Sequence, residues 1–193
     1  MESGKVLKDR PATDPRISLQ PLDLPGFDAG DQLDGKLQVL GFAPECAVAL
    51  LERYVIVIWR SALTVAGVHW ARKAFIHLRR SRPDGGLGLL MLAENDCDVS
   101  ADAGVRSELA SLISTYGERI AGFAVAYEGS GLRLTMLRGM VTSVGIVSRT
   151  RVVTEVFSSA ASAATWLHTR ARGGEDLVQP AHLLQATNRL RSR

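Results

Sequence analysis

Three acidic side chains lie at alternate positions just after an apolar segment of this sequence. Glu94, Asp96 and Asp98 follow Leu87–Ala93, and carboxylate oxygens are the ligands that Mg²⁺ prefers in proteins. The same side chains also suit the start of a helix, because carboxylates are stabilised near the positive end of the helix dipole. The sequence favours the helix start over a metal site.

A second group with chemical potential is Glu128-Gly-Ser-Gly131, which precedes another helical stretch. Backbone amides in such a turn can bind a phosphate at a helix N-terminus. The group lacks the Lys-Ser/Thr of a P-loop and the longer glycine spacing of a dinucleotide fingerprint. A tight strand-to-helix turn is therefore the favoured interpretation.

The sequence gives less support to a nucleophilic catalytic residue or to a zinc site. No Gly-x-Ser-x-Gly segment marks a serine nucleophile. Cys97 lies near a predicted helix start, where the dipole could lower its pKa, but no base is placed beside it. Cys46, Cys97 and the four scattered histidines do not make a zinc site. We expect no catalytic residue, no cofactor and no metal.

The elements that position these groups are predicted from apolar periodicity. Tyr54–Ser61 is the strongest strand signal, because continuous apolar side chains are typical of a strand buried on both faces. Thr64 is expected to cap a first helix ending near Ser81, and Asp98 or Ser100 to start a second. The other predicted strands are Ala47–Arg53, Leu87–Ala93, Ile120–Tyr127 and Val152–Phe157, and Leu37–Phe42 could be a further short strand. The other predicted helices are Leu132–Val147, Ala160–Arg172 (capped by Ser158 or Ser159) and a short amphipathic one at Pro180–Leu190.

We predict the order strand, strand, helix, strand, helix, strand, helix, strand, helix. This order indicates an α/β fold with a mostly parallel central sheet and helical cover, opened by an antiparallel hairpin. Residues 1–36 hold four of the seven prolines and are expected to form a flexible Pro/Asp-rich tail. Residues 37–172 would form the domain, and residues 173–193 a basic tail that carries the short amphipathic helix.

Composition limits the classes of function. The chain has 193 residues, of which 46% are hydrophobic, and this suffices for a core without metals or disulfides. A net charge of +3 is too small to indicate a nucleic-acid partner. No apolar run approaches the roughly 20 residues of a membrane-spanning helix, and no secretory signal is visible. We expect a cytoplasmic protein without a membrane span.

The first helix carries a possible interaction surface outside its core face. At about 100° per residue, Trp70, Lys73 and His77 group together. An aromatic ring beside a cation is typical of an interface anchor. Alternatively, Trp70 lies at the margin of the core and is covered by the N-terminal tail or a loop.

The third helix is apolar on two faces. Leu132, Met136, Gly139 and Met140 form one stripe, and an almost opposite stripe comprises Leu134, Leu137, Val141 and Val144. Such a helix is covered on two sides. We expect the second stripe to bind a protein partner or another copy of the chain, unless the leucines of the C-terminal segment fold back over the helix.

Two segments carry a resemblance to a known family. Val-Ile-Val-Ile-Trp-Arg-Ser-Ala-Leu-Thr at 55–64 and Val-Phe-Ser-Ser-Ala-Ala-Ser-Ala-Ala-Thr-Trp-Leu at 156–167 resemble a STAS domain, closest to the divergent SpoIIAA-like group related to anti-sigma-factor antagonists. The resemblance covers about residues 45–170. It implies a non-catalytic module that binds a protein partner such as a switch-type kinase, or sometimes a nucleotide or lipid.

The resemblance also implies a possible phospho-switch. The antagonists carry a phosphorylatable serine in an Asp-Ser-x-Gly context, and Ser100 occupies that region here, with Asp98 two residues before it and Gly104 four after. We therefore expect a regulatory or scaffolding interaction module. A small-molecule binder using the loops at 94–100 and 128–131 is the alternative, and an enzyme of unknown reaction is the second.

Overall fold

The computed structural model describes residues 37–129, 131–171 and 178–192. Within these ranges the chain forms six strands and five α-helices, none of which has the length and apolarity to cross a membrane. The expectations for residues 1–36, for Ser130 and for the break at Gly173-Gly174 fall outside them. The strands are β1 (Leu37–Ala43), β2 (Cys46–Leu51), β3 (Tyr54–Trp59), β4 (Leu87–Ala93), β5 (Ile120–Tyr127) and β6 (Thr154–Phe157). The helices are α1 (Val65–Ser81), α2 (Ala103–Tyr116), α3 (Leu132–Ser148), α4 (Ala160–Arg170) and α5 (Pro180–Arg191).

The strands form one sheet whose order follows the sequence from β1 to β6. Strands β3 to β6 are parallel, and the predicted α/β class with a mostly parallel sheet is confirmed. The sheet was predicted to begin with a two-strand antiparallel hairpin. It begins instead with three antiparallel strands, β1, β2 and β3. Two tight turns, at 44–45 and 52–53, separate these three apolar strands, and Glu52 adopts a left-handed φ of 53° in the second turn.

Side-chain caps set where three of the helices begin. The hydroxyls of Thr64 and Ser159 each accept a hydrogen bond from the backbone amide three residues on, which confirms the predicted starts of α1 and α4. The second helix begins later than predicted, because Asp102 is its cap and accepts from Val105 N at 2.7 Å. Asp98 instead accepts hydrogen bonds from Ser100 in a turn that precedes the helix.

Three helices cover one face of the sheet and two cover the other. The first face packs α1, α2 and α3 in one core, built on strand residues such as Val57, Leu89 and Val125. Residues of alternate parity point to the opposite face, where α4 contacts β4, β5 and β6 and α5 contacts β2 and β3. The sheet is therefore buried on both faces over most of its width.

The C-terminal helix α5 packs on the domain. Leu183 and Leu190 are fully buried, and the helix contacts β2, β3 and α4. The amphipathic pattern at Pro180–Leu190 thus marks a helix that covers the sheet face opposite α3. The alternative in which these leucines fold over α3 is wrong for this reason.

Candidate functional site

The carboxyl ends of the parallel strands are where an α/β protein would hold a ligand. Glu94 and Glu128 directly follow β4 and β5 at this edge. Arg191 of α5 pairs with both, through Nε to Glu94 Oε1 at 3.2 Å and Nη2 to Glu128 Oε2 at 2.9 Å. A guanidinium from the chain's own C-terminal helix therefore neutralises the two carboxylates.

A second arginine fixes the same helix end. Arg60 follows β3 and donates to the carbonyl of Leu190 at 2.9 Å and to that of Ala43 at 3.1 Å. Its guanidinium also lies 4.8 Å from the centre of the Phe42 ring. The last turn of α5 is thus tied to the ends of β1, β3, β4 and β5.

The loop after β4 is held by internal hydrogen bonds. The carbonyl of Asn95 accepts from the Tyr127 hydroxyl at 3.1 Å and from Arg133 at 3.2 Å. Asp98 accepts from the amide and hydroxyl of Ser100 at 2.9 and 2.6 Å, and these bonds hold the pKa of Asp98 below its ordinary value. No three His, Cys, Asp or Glu side chains of the described ranges converge as metal ligands would.

Ser100 is exposed on this loop, three residues before α2. Its hydroxyl is already engaged by Asp98, and Asp102 caps the helix that follows. A phosphate at Ser100 would meet both carboxylates, and the guanidinium of Arg106 nearby donates to the carbonyl of Ala101. The two carboxylates disfavour a phosphate at Ser100, and the phospho-switch stays a prediction.

Both thiols are free and buried. Burial, followed by nearby carboxylates, raises the pKa of Cys46 and of Cys97 to about 12. The lowering suggested by the predicted position of Cys97 at a helix start is thus reversed, because the side chain lies in the core. Burial thus favours the protonated thiol over the thiolate at both positions.

The predicted group on α1 divides into a packed ring and two exposed polar side chains. Trp70 is half-buried and lies against β1, where a Cβ on Gly41 would come within 2.5 Å of its ring. Lys73 and His77 are exposed. Trp70 thus lies at the margin of the core, where β1 covers it among the described residues.

The two apolar stripes of α3 have different surroundings. Leu137 and Val144 of the predicted interaction stripe are buried in the core, whereas Leu134 and Val141 are half-buried beside it. The prediction that this stripe binds a partner is therefore corrected. Sequence periodicity could not tell which stripe faces the sheet, because both are apolar.

The opposite side of α3 carries an outer stripe, defined here as Leu132, Met136, Gly139, Ser143 and Ile146. Its spacing of four and three residues alternately keeps it on one side of the helix. Leu132 and Ile146 are 75% and 73% exposed. Every exposed large apolar side chain of the described ranges lies on this helix or just after it, in the set Leu132, Met136, Ile146, Val147 and Val153.

Helix α3 contacts β6, the last strand of the sheet formed by the described residues. Strand β6 pairs with β5 on one side and is the last strand of the sheet on the other. From Arg151 to Val156 the side chains alternate between exposed and half-buried, as in an extended edge strand. Edge strands are sites of pairing with a further strand unless charge, proline or a bulge blocks them.

The contacts of Arg191 could not be predicted, although two of their signals are visible. Acidic residues follow two strands, and an arginine ends an amphipathic helix, but no local pattern joins residues 97 positions apart.

Comparisons with known protein families, curated proteins and solved structures gave no significant match. The described residues thus define an α/β domain whose strand-end edge is filled by its own helix and whose apolar surface is concentrated at α3 and β6.

Proposed function

We propose that this chain is a non-catalytic, STAS-like protein-interaction module with a regulatory or scaffolding role. It would bind a protein through the outer stripe of α3. The observation that carries the proposal is that four of the five exposed large apolar side chains of the described ranges lie on α3. Contiguous exposed apolar surface of this kind marks interaction sites, whereas isolated apolar residues do not.

The size of this surface fits such a role. The four exposed fractions on α3, of Leu132, Met136, Ile146 and Val147, together equal about two and a half fully exposed side chains. At about 1.5–3 kcal/mol for each buried side chain, their burial would contribute roughly 4–8 kcal/mol. That is comparable with the estimated 4–15 kcal/mol cost of association, so further contacts around the stripe would set the affinity.

The alternative of a small-molecule binder is less well supported. It would use the loops at 94–100 and 128–131, but Arg191 occupies Glu94 and Glu128, and the Asn95 carbonyl is engaged twice. A ligand at this edge would have to displace the last turn of α5.

A photo-crosslinking amino acid at two positions tests the proposal. Met136 lies on the outer stripe, and Gln185 is an exposed control position on α5, on the other sheet face. In the cells that make the protein, we expect illumination to give protein adducts from the Met136 position and few from Gln185. Equal adducts at both positions, or none at Met136, would refute an interaction through this surface.

A further inference from the structure

The strand edge beside the outer stripe has a self-complementary sequence. Glu155 of β6 and Val153 and Arg151 just before it are exposed and lie at alternate positions, so they point to one face of the sheet. This is the face that α4 covers, because Phe157, two residues after Glu155, contacts Trp166 of α4. Neither Arg151 nor Glu155 has an ion-pair partner within the described part of the chain. The positive and negative charges lie two residues on either side of Val153, which is 42% exposed.

We infer that a second copy of this chain docks on this edge, in an antiparallel pairing of the two β6 strands, each extended at its start by residues 151–153 and centred on Val153. This inference rests on the proposed function and names its partner. In this register Arg151 of each copy faces Glu155 of the other, and the two Val153 side chains meet on the two-fold axis.

The backbone supports this register. The carbonyl of Val153 accepts from Phe123 N at 3.0 Å, so the polar groups of Val153 point towards β5. Those of Val152 and Thr154 point outwards, because backbone groups alternate along a strand. Centring the pair on Val153 places Val152 opposite Thr154 of the other copy, where both can exchange hydrogen bonds. The Val152 carbonyl accepts from the Thr154 hydroxyl at 3.3 Å and keeps a second lone pair for this pairing.

The same operation brings the two outer stripes together. A two-fold axis perpendicular to the joined sheet leaves both α3 helices on one face, antiparallel and next to the new seam. At the middle of the stripe, a Cβ on Gly139 would meet nothing within 4 Å, so this position leaves space for a second helix. One association step would bury the apolar surface of both copies.

Charge selects the register of this interface. Residues 131–153 contain four arginines and no acidic residue. In the register centred on Val153, each Arg151 meets a Glu155 of the other copy, on the sheet face that α4 covers. A copy aligned on Glu155 itself would lack these pairs.

Cysteine cross-linking of the full chain tests the register. The two Cα atoms of a residue on the axis would lie about 4.5 Å apart, a distance that a disulfide can span. We expect Val153→Cys to form covalent dimers under mild oxidation, since the native thiols are buried. Glu155→Cys alone should not cross-link, but mixed with Arg151→Cys it should give heterodimers. Gln185→Cys on α5 is the control for random collision.

Charge reversal tests the pairing in solution by sedimentation. We expect Arg151→Glu or Glu155→Arg to raise the dimer Kd about tenfold, since two attractive pairs become repulsive. The double reversal should restore it. Ile146→Asp on the outer stripe should raise the Kd more than about 100-fold, because it buries an unpaired charge. These exposed positions should leave the circular dichroism spectrum unchanged.

The results separate this inference from the proposed function. A full chain that stays monomeric at about 100 µM, or a Val153→Cys variant that cross-links no faster than Gln185→Cys, would overturn the second copy as partner. Adducts of a different protein at Met136 would then leave the proposed function standing. A double reversal that fails to restore the dimer would overturn the register.

Discussion

Shortening one buried leucine of α5 tests whether this helix is part of the folded core. Leu183 is fully buried, whereas its neighbour Leu184 is half-buried and lines a shallow depression on the outer side of the helix with Ala181 and Asn188. Leu183→Ala and Leu184→Ala remove the same atoms from the same helix. They therefore differ in packing and not in helix propensity.

The magnitude follows from this difference in burial. Truncating a fully buried leucine to alanine costs about 2–5 kcal/mol, from lost transfer free energy and the cavity left behind. Leu184→Ala should cost about 1 kcal/mol or less, because part of that side chain is already in solvent. Against a typical total stability of about 5–15 kcal/mol, the Leu183 variant would lose a large share.

Urea unfolding followed by circular dichroism is the assay. With an m-value of about 2 kcal/mol/M, we expect the midpoint to fall by about 1–2.5 M for Leu183→Ala and by less than about 0.5 M for Leu184→Ala. The m-value should stay the same if both variants unfold in one transition. Equal, small shifts for the two variants would refute the packing of α5 on the sheet.

Two further predictions concern polar contacts. Replacing Arg191 by Met removes both of its ion pairs, whose groups are 26–30% exposed, and should lower the free energy of unfolding by about 1–2 kcal/mol. The melting temperature should fall by about 3–6 °C, and by less in 1 M salt. An unchanged melting temperature would show that the pairs add nothing to stability. Ser100→Ala should raise the pKa of Asp98 towards its ordinary value, because the Ser100 hydroxyl bond is the largest cause of its lowering, and an NMR titration that finds no rise would contradict that hydrogen bond.

The sign of the Asp98 effect on stability follows from its lowered pKa in the folded chain. The ionised carboxylate stabilises the fold at pH above the pKa of the unfolded chain. This contribution is lost as the pH falls through the lower, folded pKa. Ser100→Ala should therefore destabilise the protein near neutral pH and make stability less sensitive to acid.

Local signals in the sequence account for most of the elements. The apolar run of β3 and the caps at Thr64 and Ser159 identify their elements directly, because propensity and capping act over a few residues. The start of α2 was displaced because Asp98, Ser100 and Asp102 are all competent caps. Only the hydrogen bonds that each side chain makes distinguish them.

The candidate site was harder to predict, because it depends on which surfaces meet. Because both stripes on α3 are apolar, the sequence does not show which side of the helix faces the core. The burial of Leu137 shows that its stripe does. The pattern of α5 gives an apolar side but not the surface it covers. The outer stripe and the β6 edge come together only through the tertiary placement of α3 and β6 at the end of the sheet.

The sequential strand order has a consequence for synthesis on the ribosome. Each strand pairs with the one made just before it, so the sheet can grow as the chain emerges. The helix that covers β2 and β3 on their second face is made last, and its Leu190 carbonyl meets an arginine 130 residues earlier. At about 5–20 residues per second, that side of the sheet would stay uncovered for roughly 7–26 s. Premature termination shortly before α5 would therefore release a chain with an open apolar sheet, a natural target for chaperones and proteases.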